Sequence, residues 1–285
     1  MNILPSLFLF LKLVGIQAAS GIYYQQDQLY IVSDNSPYLY QYDMQASQLH
    51  KIQLDSTQQQ EMVSKKEKAD FEALYAINDT LVVVGSGSTS ERETAFIYHQ
   101  KDQSVQRVSL APLFRQMRKI GKVDEENFNI EGIAYANGTW YFLNRGNGPK
   151  HQNVVFTFNG NAQLQFQATS LQAKHLKLPS IHGQPSGFSD ALLLDNRLFF
   201  IATAESKASN YEDGDNMGSY IAYINLKNWK ISPIQSLSKT KKLEGLSIYQ
   251  QSDSTKTFLL CEDPDDETNT NCPVYRYDFI INSRE

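Results

Sequence analysis

Cysteine is nearly missing from this chain, with Cys261 and Cys272 the two among 285 residues. That excludes a disulfide-dense scaffold and, with no Cys-x-x-Cys pair or Cys/His cluster, a thiolate zinc site. Histidine is also sparse: His50, His99, His151, His175 and His182 show no metal-ligand spacing. No Gly-x-Ser-x-Gly elbow occurs, and His182, Ser186 and Asp190 are compressed into one loop, a poor setting for a catalytic triad. Gly85-Ser86-Gly87-Ser88 lacks the Lys-Ser/Thr and following helix of a phosphate-binding loop. It predicts a tight turn, with Arg92 close enough to help bind an anion. Basic charge is not in excess either. A net charge of −5 and a pI near 5.6 argue against nucleic acid or an anionic membrane as partner. The longest apolar stretch, Leu4–Ile16, is too short and too interrupted by Lys12 to span a bilayer.

What the chain does have is aromatic and β-branched runs, with 16 Tyr and 15 Phe, arranged in an internal repeat. Five copies align. They begin Ser20-Gly21-Ile22-Tyr23, Phe71-Glu72-Ala73-Leu74, Ile130-Glu131-Gly132-Ile133, Ser189-Asp190-Ala191-Leu192 and Leu243-Glu244-Gly245-Leu246. A second apolar run follows each, ending in polar residues such as Ser33-Asp34-Asn35, Asn144-Arg145-Gly146, Ala204-Glu205 and Glu262-Asp263. The first column, Ser20, Glu72, Glu131, Asp190 and Glu244, advances in steps of 52, 59, 59 and 54 residues. Third runs lie at Tyr38–Tyr42, Ala95–Tyr98, Val154–Phe158, Tyr220–Ile224 and Val274–Phe279. Fourth runs lie at Leu49–Leu54, Val105–Leu110, Lys174–Leu178 and Ile231–Leu237. The fifth unit lacks a fourth run, and Leu7–Val14 can supply it from the other end of the chain.

Four-stranded units repeated round a ring predict an all-β protein, a β-propeller forming a single domain over residues 1–285. Five blades are expected, or six if the connections near 111–128 or 160–180 hide strands. Borrowing the N-terminal strand removes the open edges of the array. Pro112–Gly121 is the one helix-like piece, with Leu113, Phe114, Met117 and Ile120 on one face, packed outside the ring.

Met1–Ser20 admits two assignments. The preferred one is a retained strand in a cytoplasmic protein. The other is a signal peptide cut at Ala18 or Ala19, which makes the protein periplasmic or secreted, although no positive charge precedes the apolar run. The cysteines stay open too: a disulfide across a hairpin, or two ordinary strand cysteines.

In a propeller the first strand runs along the central channel, so strand-one starts and strand-two ends share one face. That face is predicted to collect the acidic column together with Asp34, Arg145, Glu205 and Asp263. Carboxylates crowded round an axis raise one another's pKa or recruit a cation. Calcium tolerates irregular oxygen coordination best, and Glu131, Asp190 and Glu244 are its expected ligands. Asp34, Glu72, Arg145, Glu205 and Asp263 are expected to bind a small polar or anionic molecule. Lys68 and Arg92 are further cations if they reach inward. Glu212-Asp213-Gly214-Asp215 and Asp263-Pro264-Asp265-Asp266-Glu267 are acidic but miss the EF-hand spacing. The alternatives to a binding module are a calcium-dependent phosphoester or lactone hydrolase and a protein-interaction scaffold with an exposed apolar patch. A monomer is expected.

Several stretches together carry a family likeness: Ser33-Asp34-Asn35-Ser36-Pro37-Tyr38, Lys68-Ala69-Asp70-Phe71-Glu72-Ala73, Gly85-Ser86-Gly87-Ser88, Asn129-Ile130-Glu131-Gly132, Arg145-Gly146-Asn147, Ser186-Gly187-Phe188-Ser189-Asp190-Ala191 and Leu243-Glu244-Gly245. Over nearly the whole chain they resemble an uncharacterised bacterial propeller family, DUF6929-like. More distantly, the Glu-Gly repeats are similar to the esterase-like domain of phytase-like proteins and to SdiA-regulated propellers. Those relatives imply calcium and phosphoester hydrolysis.

Overall fold

The second run of every repeat is apolar at successive positions, not at alternate ones. Leu81, Val82, Val83 and Val84 are all fully buried. A strand reads this way when both its faces are covered. The computed structural model describes residues 6–281 apart from 59, 65, 147, 206–215 and 267–268. In it these runs are the second strands of five antiparallel blades set round an axis, each wedged between two neighbouring blades.

Blade one is β2 (Ala19–Gln25), β3 (Gln28–Ser33), β4 (Tyr38–Asp43) and β5 (Gln48–Gln53). Blade two is β6 (Phe71–Ile77), β7 (Thr80–Gly85), β8 (Thr94–His99) and β9 (Ser104–Ser109). Helix α1 (Ala111–Gly121) follows. Blade three is β10 (Ile130–Ala136), β11 (Thr139–Asn144), β12 (Val154–Asn159) and β13 (Gln172–His175). Blade four is β14 (Gly187–Leu194), β15 (Arg197–Glu205) and β16 (Asn216–Asn225), edged by β17 (Lys230–Ile231) and β18 (Gln235–Ser238). Blade five is β19 (Leu243–Gln251), β20 (Thr255–Glu262) and β21 (Asn271–Ile280). It is completed by β1 (Phe8–Val14), which pairs antiparallel with β21 from Phe8↔Arg276 to Val14↔Asn271.

Five apolar clusters fill the five blade interfaces, one per neighbouring pair. The ring is therefore closed by side-chain packing as well as by the ladder of β1. Outer strands such as β5 and β9 are mostly exposed, with Leu49 and Ile52, or Val105 and Val108, half-buried. Two-residue turns join the first and second strands of blades one to four. Gln26-Asp27, Asn137-Gly138 and Asp195-Asn196 all have positive φ, the geometry whose twist matches a tight hairpin.

Five blades are present, and neither long connection hides a sixth. The first holds α1; the second holds an isolated bridge, Gly160↔Phe166, before β13. The fourth strand of blade three begins at Gln172, ahead of the predicted Lys174–Leu178. That of blade four is split at Pro233, which has no N–H for the ladder. Helix α1 buries Leu113, Phe114 and Met117 as expected, but Ile120 is exposed. Its Phe114 packs against Phe128 and Phe142, so the helix seals the outer end of the interface between blades two and three. Cys261 and Cys272 are buried free thiols, opposite Val274 and Leu13 respectively. No described helix is long and apolar enough to cross a membrane. The acidic stretch at 212–215 lies outside the described residues.

Candidate functional site

Every blade carries a one-residue irregularity in the ladder between its first and second strands. The shifts lie between Ala19 and Gly21, Phe71 and Ala73, Ile130 and Gly132, Phe188 and Asp190, and Leu243 and Gly245. The residue added at each is Ser20, Glu72, Glu131, Ser189 and Glu244. A bulge re-aims a side chain that regular pairing would send elsewhere. The small residue after it sits against the next blade. A Cβ on Gly132 would lie 2.9 Å from the backbone of Asp190 and Ala191.

This register corrects the expected column in blade four: Ser189, not Asp190, occupies the bulge. Asp190 stands where the other blades have Gly21, Ala73, Gly132 and Gly245. A shift of one residue turns a strand side chain to the opposite face. The Asp190 carboxylate accepts the N–H of Ala191 at 2.7 Å and the N–H of Leu246 in blade five at 2.7 Å. It joins blade four to blade five. Ser20 plays a similar part in blade one, donating its hydroxyl to the carbonyl of Phe71 in blade two.

The remaining three column residues converge. One carboxylate oxygen from each of Glu72, Glu131 and Glu244 lies within 4.8 Å of the others. Arg145, from the end of β11, lies beside this set. Its Nη1 is 3.4 Å from both Glu131 and Glu244; its Nη2 donates to Glu205 and, at 3.0 Å, to Thr203. Thr203 shares a 2.8 Å hydrogen bond with Ser189. Gly187 leaves room for this guanidinium, because a Cβ there would lie 2.5 Å from Arg145 Cγ. Asn129 donates to Glu131 Oε1 at 2.6 Å, whereas the buried Oε2 accepts no hydrogen bond and has only the 3.4 Å ion-pair contact with Arg145 Nη1.

Above this floor lies a ring of shared ion pairs. Lys68 contacts Asp34 at 2.5 Å and Asp70 at 2.8 Å. Arg92 contacts Asp70 at 2.8 Å. Lys242 contacts Asp265 at 2.9 Å, Asp263 at 3.3 Å and Glu244 at 3.4 Å. Asp34, Lys68, Lys242, Asp263 and Asp265 line a cavity of about 620 Å³ at the mouth of the funnel. Glu72 links the two levels, since its carboxylate also lies within 4.8 Å of those of Asp34 and Asp70.

Electrostatics act on both levels. Burial pushes Glu131 up to about 8, against the pull of Arg145 and with Glu244 adding to the rise. Burial, then Glu131 and Asp70, raise Glu72 well above the ordinary range. At the mouth, burial pushes Asp263 up to about 7 although Lys242 opposes it. Burial lowers the pKa of Arg145 and of Lys242, but the surrounding carboxylates outweigh it and hold both firmly cationic.

Of the expected site residues, Glu72, Arg145, Glu205, Glu131 and Glu244 meet at the floor, and Asp34 and Asp263 meet at the mouth. Arg92 reaches inward but is held by Asp70 and Ser88. His182 is exposed and Ser186 bonds Pro179 and Tyr220, so no triad forms. Asp70, Lys242 and Asp265 were missed. The first two carried a signal: each lies two residues before a column glutamate, just ahead of β6 and β19.

Two solved structures share the architecture. The allergen Mala s 1 of Malassezia sympodialis is 13% identical, with 99% of each chain covered and a TM-score of 0.56. Glutaminyl cyclase of Myxococcus xanthus is 9% identical, with 98% of each chain covered and a TM-score of 0.52. At such identities the likeness extends to the fold alone. No curated protein matches the sequence. A family model does match, over residues 15–277, and with the bulged column and funnel lying inside that span the chain belongs to DUF6929, a family of unknown function.

Proposed function

We propose that the funnel binds a small polar ligand anchored by a divalent cation, calcium fitting best, held by Glu72, Glu131 and Glu244. The observation that carries this reading is the convergence of three carboxylates round a buried Glu131 oxygen that accepts no hydrogen bond. Calcium takes oxygens at about 2.3–2.6 Å, so its ligand atoms lie within about 5 Å of one another, as these do. The charge balance favours it as well. Glu72, Glu131, Glu205 and Glu244 surround one guanidinium, with Lys242 shared with the mouth. A dication supplies the missing charge without protonating the glutamates. The cavity above is of small-molecule size. Its lysines suit an anionic group on the ligand, while Asp34 and Asp263 suit donors.

Calcium titration by calorimetry tests this, with wild type beside Glu131→Gln in two buffers of different ionisation enthalpy. Binding with proton release near pH 7, lost in the variant, supports the reading, because Glu131 must shed its proton to ligate. Absence of heat in wild type ends it. Asp263 favours a second reading. A cavity carboxyl near neutrality suits general acid–base catalysis, as a phosphoester or lactone hydrolase needs. A chelator-sensitive turnover of either substrate class that falls in Asp263→Asn supports hydrolysis; inactivity across both classes leaves binding alone.

A further inference from the structure

The face opposite the funnel carries a second concave site. Third and fourth strands are joined by four residues in blades one, two and four (44–47, 100–103 and 226–229), but by twelve in blade three (160–171). A long connection within a regular repeat is a common place for a binding element. This one is held firmly. Gly160 N–H donates to the Gly138 carbonyl at 3.0 Å and Gln167 N–H to the Asn159 carbonyl at 2.9 Å. The Trp140 indole donates to the Asn161 carbonyl at 2.9 Å. Asn161 Oδ1 accepts the N–H groups of Gln163 and Gln165 at 3.1 and 3.0 Å. Leu164 is driven into the apolar cluster despite a positive φ of 57°.

The loop and the β10–β11 turn wall a cleft of about 580 Å³. Besides two glycines its lining is Tyr135, Asn137, Asn159, Asn161, Gln165 and Gln167, with no charged residue. Asn161 Nδ2 donates to Gln165 Oε1 at 2.9 Å, whereas the amides of Asn137 and Gln167 each present a donor and an acceptor side by side, a match for vicinal hydroxyls. An ion would lose hydration here without meeting a counter-charge. The Tyr135 ring adds an apolar surface for the C–H face of a sugar. Above Gly138 an added Cβ would meet nothing within 4 Å, so the cleft is open to a ligand larger than one ring.

We propose that this cleft binds a neutral saccharide, independently of the funnel. The test is calorimetry of the full chain against maltotriose, cellotriose and tri-N-acetylchitotriose, in wild type and in the double variant Asn137→Gly/Gln167→Ala. Both side chains are exposed, and glycine suits the positive φ of Asn137, so the fold is retained. Binding of at least one sugar is expected, weakened on the order of tenfold or more by losing one or two ligand hydrogen bonds. The unfolding temperature is expected to be unchanged. Glu131→Gln is expected to keep full sugar affinity even where it abolishes calcium binding. No binding of any of the three sugars overturns the proposal, as does affinity unaltered by the double variant or lost in Glu131→Gln.

Discussion

The mouth and the floor of the funnel are a few ångströms apart and solve the same problem differently. At the mouth the carboxylates are nearly balanced, four against three cations: Asp34 and Asp70 have Lys68 and Arg92, and Asp263 and Asp265 share Lys242. On the floor Glu131, Glu205 and Glu244 share Arg145, and Glu72 accepts no hydrogen bond from any described residue. A nearly balanced set can hold its shape unaided. A deficient one must take up protons or a cation, and that is the difference between scaffold and site.

The sharpest way to break the contrast is Arg145→Met, which leaves the floor carboxylates with no cation of their own. Stranding buried charge in this way costs about 3–5 kcal/mol. A steep fall in the urea midpoint, partly restored by calcium, is expected; an unchanged midpoint refutes the account. Next comes pH. Glu131 binds its proton more tightly folded than unfolded, with its folded pKa near 8 against an ordinary 4.5. Its stabilising proton is fully present below about pH 4.5 and lost as pH rises through 8. In chelator, stability is therefore expected to decline across that window by on the order of 1 kcal/mol per pH unit. Calcium should flatten the decline at its upper end. A melting temperature that rises from pH 5 to pH 8 in chelator contradicts the protonated floor.

Asp190→Ala sharpens the comparison from the structural side. It leaves the buried Leu246 N–H unpaired, at a cost of about 1–3 kcal/mol, while calcium affinity is expected to match wild type. Weakened calcium binding in this variant would put Asp190 back among the ligands. The smallest effect is reserved for the mouth. In Asp263→Asn, Lys242 keeps Asp265 and Glu244, so the change is expected to stay within about 1 kcal/mol. The pH dependence of stability should flatten near neutrality, readable by denaturant titration at several pH values.

The ring was legible because each blade repeats one pattern: a buried strand, a tight turn, a second strand covered on both faces. The polar column was legible for the same reason, except at Asp190. There the acid had been aligned by type, although Gly21, Ala73, Gly132 and Gly245 mark the neighbouring position as the one pressed against the next blade. Aligning Asp190 with those small residues would have put Ser189 in the column. Lys242 and Asp70 were legible in principle from their shared place two residues ahead of a column glutamate. That Glu72, Glu131 and Glu244 meet while Ser20 and Ser189 turn to bonds of their own depends on distances across the axis, which no local pattern encodes. The cleft of blade three was also hidden, because a twelve-residue polar connection reads as a solvated loop until its hydrogen bonds are known.

The pairing of β1 with β21 joins Phe8 to Arg276, residues 268 positions apart in the chain. Such a ladder cannot form on a ribosome until almost everything between has been made. Strand β1 therefore waits for β21, and its inward side chain Leu13 stays uncovered until then. Contacts this remote slow folding and lengthen exposure to wrong partners. For this chain the vulnerable moment is its birth, while the seam between β1 and β21 stands open.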